Sequence, residues 1–97
     1  HYERLRLEAL AFDVAIAGAR AARSIGEPDR AASFACTALS IDPLGDVGAV
    51  ELAAAVRAMG RLDAARSALG RHADELRRAG ISPAAFIDTH VSHLRIA

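Results

Sequence analysis

The sequence lacks several residue types, and each absence narrows the functions open to this chain of 97 residues. It has no Trp and only four other aromatic residues, so no aromatic cluster is expected on which the bases of single-stranded nucleic acid would stack. The single cysteine, Cys36, can form no internal disulfide and no Cys-rich metal site, which fits a reducing compartment such as a bacterial cytoplasm. No apolar run approaches the roughly 20 residues of a membrane-spanning helix.

A net charge is also absent, because 12 basic residues balance 12 acidic ones. Without a net positive field, general binding to nucleic acid or to an anionic membrane is disfavoured. Every basic residue is Arg, and together with the abundant Ala this is typical of proteins encoded by GC-rich bacterial genomes. The chain is too apolar for a disordered segment and too short for two cores. We therefore expect one globular domain over residues 1–97.

Strand patterns are nearly absent and the helix formers Ala, Leu and Arg dominate, so the sequence predicts an all-α fold. Clusters of glycine and proline mark the turns between helices. At the clearest boundary we expect a left-handed Gly80, a capping Ser82 hydroxyl and Pro83 at the first helical position. The five predicted helices span about 3–25, 29–41, 46–59, 62–79 and 83–95.

A shift of 34 residues indicates an internal repeat, because residues 15–31 and 49–65 are then identical at seven of seventeen positions. Thirty-four residues is the period of the tetratricopeptide repeat, a helix–turn–helix unit. We therefore predict tetratricopeptide-like antiparallel helical hairpins, with repeats near 12–45 and 46–79 and a capping helix over 83–95.

Particular residue types agree with such hairpins. Pro43 stops the second helix of the first repeat, whereas Arg77 at the equivalent position lets its counterpart run on to Gly80. The last helix is amphipathic and is expected to pack on the preceding pair through Phe86, Ile87, His90, Val91 and Leu94. Small side chains are expected where paired helices approach closely, at Ala19, Ala31, Ala53 and Ala65.

Four short motifs follow one another along the chain. They are Glu3-Arg4-Leu5-Arg6-Leu7-Glu8-Ala9-Leu10, Ala38-Leu39 followed by Asp42-Pro43-Leu44, Gly60 with Ala64-Ala65, and Glu75-Leu76 with Gly80-Ile81-Ser82-Pro83. In their order and spacing they resemble the bacterial transcriptional activator domain, a helical module that follows the winged-helix DNA-binding domain in actinomycete-type regulators of antibiotic pathways. The chain departs from the family's pattern at Arg66, where Leu is usual, and at Leu69, where an aromatic residue is usual.

The resemblance implies an interaction or effector module of a bacterial transcriptional regulator, with DNA contacted by a separate domain outside this chain. The chain begins at His1 rather than Met, so we expect it to be part of a longer cytoplasmic regulator. The implied partner is a protein or peptide, such as transcription machinery or an upstream domain of the same chain, without direct binding to nucleic acid or membrane. The alternative is a tetratricopeptide adaptor or peptide-binding scaffold unrelated to transcription.

Three arginines are the candidate partner-binding residues. In tetratricopeptide folds the first helix of each repeat lines a groove, which would turn Arg20, Arg23 and Arg57 inward. Two guanidinium groups one repeat apart could then bind carboxylates of an acidic peptide bidentately. The alternative is that Arg23 and Arg57 only complement the dipole at the ends of their helices.

The remaining candidates favour structural roles. His90 and His93 are three residues apart, and Asp88 is nearby. A zinc site needs three or four ligands, so we expect no metal here. We expect His90 to lie on the packing face of the last helix. His72 is predicted to be a core histidine, with a proton-linked switch as the alternative. Cys36 is predicted to be buried among small apolar residues.

No catalytic pattern emerges, because nucleophile elbows, phosphate-binding loops and paired carboxylates are missing, and neither an enzyme nor a cofactor is expected. The opening helix exposes an apolar face carrying Leu5, Leu7, Leu10 and Val14. We expect this face to meet either an upstream segment or a second copy of the chain in a homodimer.

Overall fold

The computed structural model describes residues 1–91, which are almost entirely helical and contain no strand. The all-α prediction is therefore confirmed, and the first four predicted helices agree with the observed ones to within one residue at each end. Residues 92–95 of the predicted last helix lie outside the described part of the chain. The observed elements are α1 (Tyr2–Ser24), α2 (Pro28–Ile41), α3 (Asp46–Ala58), α4 (Leu62–Arg78), α5 (Ala84–Phe86) and a π-helical turn (Ile87–Val91) that directly continues α5.

Consecutive helices pack side by side as helical hairpins. The connections are only three to five residues long, so each helix turns back along the one before it. Helix α1 also contacts α3, and the π-helical turn rests on α4. The α1/α2 hairpin is therefore stacked on the α3/α4 hairpin, with the last helix against the second one.

Three helices end in the same hydrogen-bonded turn, centred on a glycine. Gly26, Gly60 and Gly80 have φ angles of 78°, 81° and 79°, in the left-handed region that favours glycine. After α3, the N–H of Gly60 donates to the Arg57 carbonyl at 2.9 Å, and the N–H of Arg61 donates to the Val56 carbonyl at 3.3 Å. This pair of bonds is the Schellman motif, which satisfies the last carbonyls of a helix.

The 34-residue shift also relates the helix boundaries. Helices α1 and α3 end 34 residues apart, at Ser24 and Ala58, and α2 and α4 begin 34 residues apart, at Pro28 and Leu62. Helix α4 is three residues longer than α2, as predicted. Pro43 lies just after the end of α2, whereas its counterpart in the second repeat is Arg77, which does not interrupt a helix. The sequence repeat is therefore also a repeat of the hairpin's boundaries and turns.

Substitution of Gly60 by alanine should lower the free energy of unfolding by about 1 kcal/mol. A Cβ at this position meets nothing within 4 Å, so the cost comes from the left-handed backbone alone. Gly70 offers a matched control, because it lies inside α4 and its Cβ would also enter open space. Gly70→Ala should raise stability by roughly 0.5–1 kcal/mol. Urea unfolding followed by circular dichroism measures the free energy of unfolding of both variants. Equal effects of the two substitutions would contradict a cost that comes from the left-handed backbone at Gly60.

Alanine forms most of the core. Ala19, Ala31, Ala53 and Ala65 are all buried, as predicted for positions of close helix approach. The last helix packs on this core through Phe86, with Ile87 and Val91 alongside, which confirms its predicted docking on the preceding pair. Leu94, assigned to the same face, lies outside the described residues. The larger side chains buried in the core are Ile16, Leu69, Leu76 and Phe86.

The turn before the last helix differs by one residue from its prediction. Gly80 is left-handed as expected, but Pro83 is the residue preceding the helix rather than its first helical residue. The Ser82 hydroxyl accepts a hydrogen bond of 3.4 Å from the N–H of Ala84. The capping position is therefore occupied by Pro83, and the predicted capping role of Ser82 is wrong, because Ser82 lies one residue further out.

Residues 1–10, at the start of α1, are all exposed, including Tyr2, Leu5, Leu7 and Leu10. Val14 is exposed as well, so no described element covers the apolar face predicted on this helix. None of the helices over residues 1–91 combines the length and the apolar character needed to cross a membrane.

Candidate functional site

Two of the three candidate arginines bind a buried carboxylate. Arg20 donates from Nε to Oε2 of Glu51 at 3.0 Å, and Arg23 donates from Nη2 to Oε1 at 3.0 Å. The Glu51 side chain is 7% exposed, whereas those of Arg20 and Arg23 are 59% and 40% exposed. We call these three residues the Glu51 clasp. It joins the last turns of α1 to the middle of α3, across the contact between the hairpins.

The clasp changes the expected role of both arginines. Their charge is directed at a residue of the same chain, and two guanidinium groups share one carboxylate. Each guanidinium has five N–H donors, so neither is exhausted by a single bond to Glu51. The clasp gives Arg20 and Arg23 a structural role that sequence analysis did not foresee, and their contact with a partner stays a prediction.

Glu51 itself was missed from the sequence, although two signals point to it. Arg20 and Arg23 are three residues apart and therefore share a face of α1. The 34-residue shift also pairs Glu51 with Ala17, so a carboxylate replaces a small apolar side chain. A lone acidic residue on the packing face of a helix indicates a cation on the neighbouring helix.

Arg57 differs from the other two arginines. It is exposed in the last turn of α3, and it makes no ion pair with any residue in the described range 1–91. It lines an open groove of about 320 Å³ between α3, α4 and the last helix, which we call the α3 groove. The groove is lined by Val50, Ala53, Ala54, Arg57, Ala65, Leu69, Thr89 and His90.

A second depression adjoins the α3 groove. It shares Val50 and His90 with the groove and extends to Arg20 and Glu51. Arg20 and Arg57 therefore line two adjoining depressions beside α3. Arg23 is connected to this second depression by its bond to Glu51, which lines it.

The rings of His72, Phe86 and His90 form a second cluster, which also includes the Asp46 carboxylate. His72 is buried in α4, as predicted for a core histidine, and its Nε2 lies 2.7 Å from Oδ1 of Asp46 at the start of α3. The Phe86 ring stands edge-on to the His72 ring, with centroids 4.6 Å apart. The half-buried His90 ring lies 5.1 Å from Phe86, on the packing face expected for it. The cluster connects α3, α4 and the last helix.

Cys36 is exposed, so the prediction of a buried thiol is wrong. The buried face of α2 consists of Ala31, Ala35 and Ala38. Cys36 is one residue from Ala35 and is therefore turned about 100° away from this face. His93 lies outside the described residues, and within residues 1–91 no three or more His, Cys, Asp or Glu side chains form a group suited to a metal ion.

The sequence matches no protein family, no curated protein and no solved structure.

Proposed function

We propose that this chain is a tetratricopeptide-like interaction module that serves as the effector part of a bacterial transcriptional regulator. DNA binding belongs to a separate domain, and this chain binds a protein or peptide in the α3 groove. The observation that carries the interaction role is the exposed guanidinium of Arg57, which has no ion-pair partner among residues 1–91 and lies beside the apolar side chains Val50 and Leu69. The resemblance of the sequence motifs to bacterial transcriptional activator domains supports the link to transcription.

The chemistry of the α3 groove defines its ligand. A rigid guanidinium fork selects carboxylates, and the neighbouring Val50, Ala54 and Leu69 favour an apolar side chain. His90 and Thr89 add hydrogen-bonding groups at the opposite wall. The fitting partner is a peptide segment that places an acidic residue next to an aliphatic one.

The test is to tether the chain to DNA through an unrelated DNA-binding domain upstream of a weak bacterial promoter. We expect a severalfold change in reporter transcription, and we expect Arg57→Glu to abolish it, because the reversed charge repels the partner's carboxylate. Arg71→Glu is the matched control. Arg71 is also an exposed arginine, but it lines a different depression together with Leu39 and Pro43.

Each outcome of this test decides between the candidate functions. Unchanged transcription with the tethered chain contradicts the transcriptional role. If Arg57 is then still required for binding of acidic peptides, measured by fluorescence polarisation, the chain is a tetratricopeptide adaptor unrelated to transcription. Equal effects of Arg57→Glu and Arg71→Glu contradict the α3 groove as the binding site.

A further inference from the structure

Helix α1 carries an exposed apolar stripe on the side away from its core face. The core face consists of Ala15, Ala19 and Ala22 with Ile16. The stripe residues follow one another at alternating spacings of three and four, so they fall on one line along the helix, as the core positions of a coiled coil do. All are exposed, and they are Leu7, Leu10, Val14, Ala17 and Ala21.

The internal repeat shows how this face would look if another hairpin stacked on it. The 34-residue counterparts of Val14, Ala17 and Ala21 are Gly48, Glu51 and Ala55, which are buried in α3. Gly48 allows a close approach to α2, because a Cβ added there would lie 3.1 Å from Cγ of Leu39.

The α1 stripe departs from this pattern at two of the three positions. Val14 is a bulky side chain where the stacked helix has glycine, and Ala17 cannot make the ion pairs of Glu51. Packing of a further hairpin in the manner of α3 would therefore clash at Val14. The stripe requires a different occupant.

The charges beside the stripe identify that occupant. Arg6 and Asp13 flank the same edge of the stripe, are exposed, and make no ion pair with any residue among 1–91. In an antiparallel pair of identical helices, Leu7 can lie opposite Leu10 of the partner subunit. The same register brings Arg6 opposite Asp13 of the partner subunit, and two-fold symmetry forms this ion pair twice.

We propose that two copies of this chain associate through the first half of the α1 stripe, around Leu7 and Leu10, with the two α1 helices antiparallel. In a parallel pair, the edge that carries Arg6 and Asp13 faces the opposite edge of the partner helix, where Ala11 and Gly18 stand, so neither charge meets an opposite charge. The antiparallel register pairs opposite charges and closes after two subunits, which makes a dimer rather than an open chain. This surface lies on α1, opposite the side that contacts α3, so the dimer leaves the α3 groove free.

Sedimentation equilibrium of the 97-residue chain, from micromolar to millimolar concentration, tests the dimer. We expect a reversible monomer–dimer equilibrium, and Leu10→Glu should raise its dissociation constant about tenfold or more. Leu5→Glu is the matched control, because Leu5 and Leu10 are 52% and 54% exposed on the same helix but only Leu10 belongs to the stripe. Circular dichroism verifies that both variants stay helical. A chain that is monomeric at every concentration, or equal effects of the two variants, overturns the proposal.

A charge exchange tests the antiparallel register. Arg6→Asp alone and Asp13→Arg alone each place like charges opposite one another, so each should weaken the dimer. The double variant Arg6→Asp/Asp13→Arg restores opposite charges and should return the dissociation constant to that of the original chain. If the double variant is weaker than either single variant, the register is wrong.

Discussion

Replacement of Phe86 by alanine is expected to lower the free energy of unfolding by about 3 kcal/mol. Phe86 is buried against Leu69 and Leu76, and its ring stands edge-on to that of His72. Because most of the core is alanine, few side chains could move into the space left by the ring. The substitution therefore removes both the buried apolar surface and the contacts that hold the last helix on α4.

Thermal and urea unfolding followed by circular dichroism measure this loss. For a domain of this size, each 1 kcal/mol shifts the melting temperature by about 4–8 °C, so the shift for Phe86→Ala should exceed about 10 °C. Phe86→Leu keeps much of the buried volume and should cost about half as much or less, which keeps the test informative if the alanine variant does not fold.

Ile81 supplies the control for Phe86. It lies five residues earlier, in the turn after α4, and nearly half of its surface is exposed. Ile81→Ala should therefore change stability by less than about 0.5 kcal/mol. Similar losses for Ile81→Ala and Phe86→Ala would contradict the docking of the last helix through Phe86.

The second large effect concerns the Glu51 clasp. Simultaneous replacement of Arg20 and Arg23 by alanine should lower the free energy of unfolding by about 2–3 kcal/mol. This change leaves the Glu51 carboxylate buried without a cation, and loss of one side of a buried ion pair is strongly destabilising. The value lies below that of a fully buried pair because both arginines are partly exposed to solvent.

The relative stabilities of the clasp variants distinguish the cost of an unpaired buried charge from a simple loss of contacts. Glu51→Gln alone should cost about 1 kcal/mol, because the arginines it leaves behind can be hydrated. Glu51→Gln added to the Arg20→Ala/Arg23→Ala variant should raise stability again, since it removes the unpaired buried charge. Urea unfolding measures all three, and a further loss in the triple variant would contradict the mechanism.

Arg77→Ala is the control for an ordinary surface ion pair. Arg77 donates to Asp74 at 2.7 Å, but both side chains are more than half exposed. Such pairs contribute about 0.2–1 kcal/mol, so the variant should fall well below the clasp double variant.

The helices could be predicted from the sequence because their signals are local. The glycines of the turns, the proline after α2 and the dominance of Ala, Leu and Arg act within a few residues. The predicted bounds of α1 to α4 are therefore correct to within one residue. The prediction for Cys36 failed because it relied on the apolar residues near Cys36 in the sequence. Of these, Ala35 and Ala38 face the core, whereas Cys36 is turned away from it.

The candidate site could be predicted only in part. Arg57 lines the α3 groove as an exposed residue, but the bonds of Arg20 and Arg23 to Glu51 were not predicted. The clasp joins residues 31 and 28 positions apart, and no local pattern specifies which distant carboxylate a cation will meet. The partner of His72 was missed for the same reason, because Asp46 precedes it by 26 residues.

The sequence by itself determined the all-helical class, the helix bounds, the glycine turns and the 34-residue relation between the hairpins. These follow from backbone preferences and from the need for small side chains where helices cross. Only the tertiary structure decided which charges are used inside the molecule and which stay free. That choice depends on how one hairpin stacks on the next: the stacking buries Glu51 against Arg20 and Arg23, and it leaves Arg57 and the stripe of Leu7, Leu10 and Val14 open to partners.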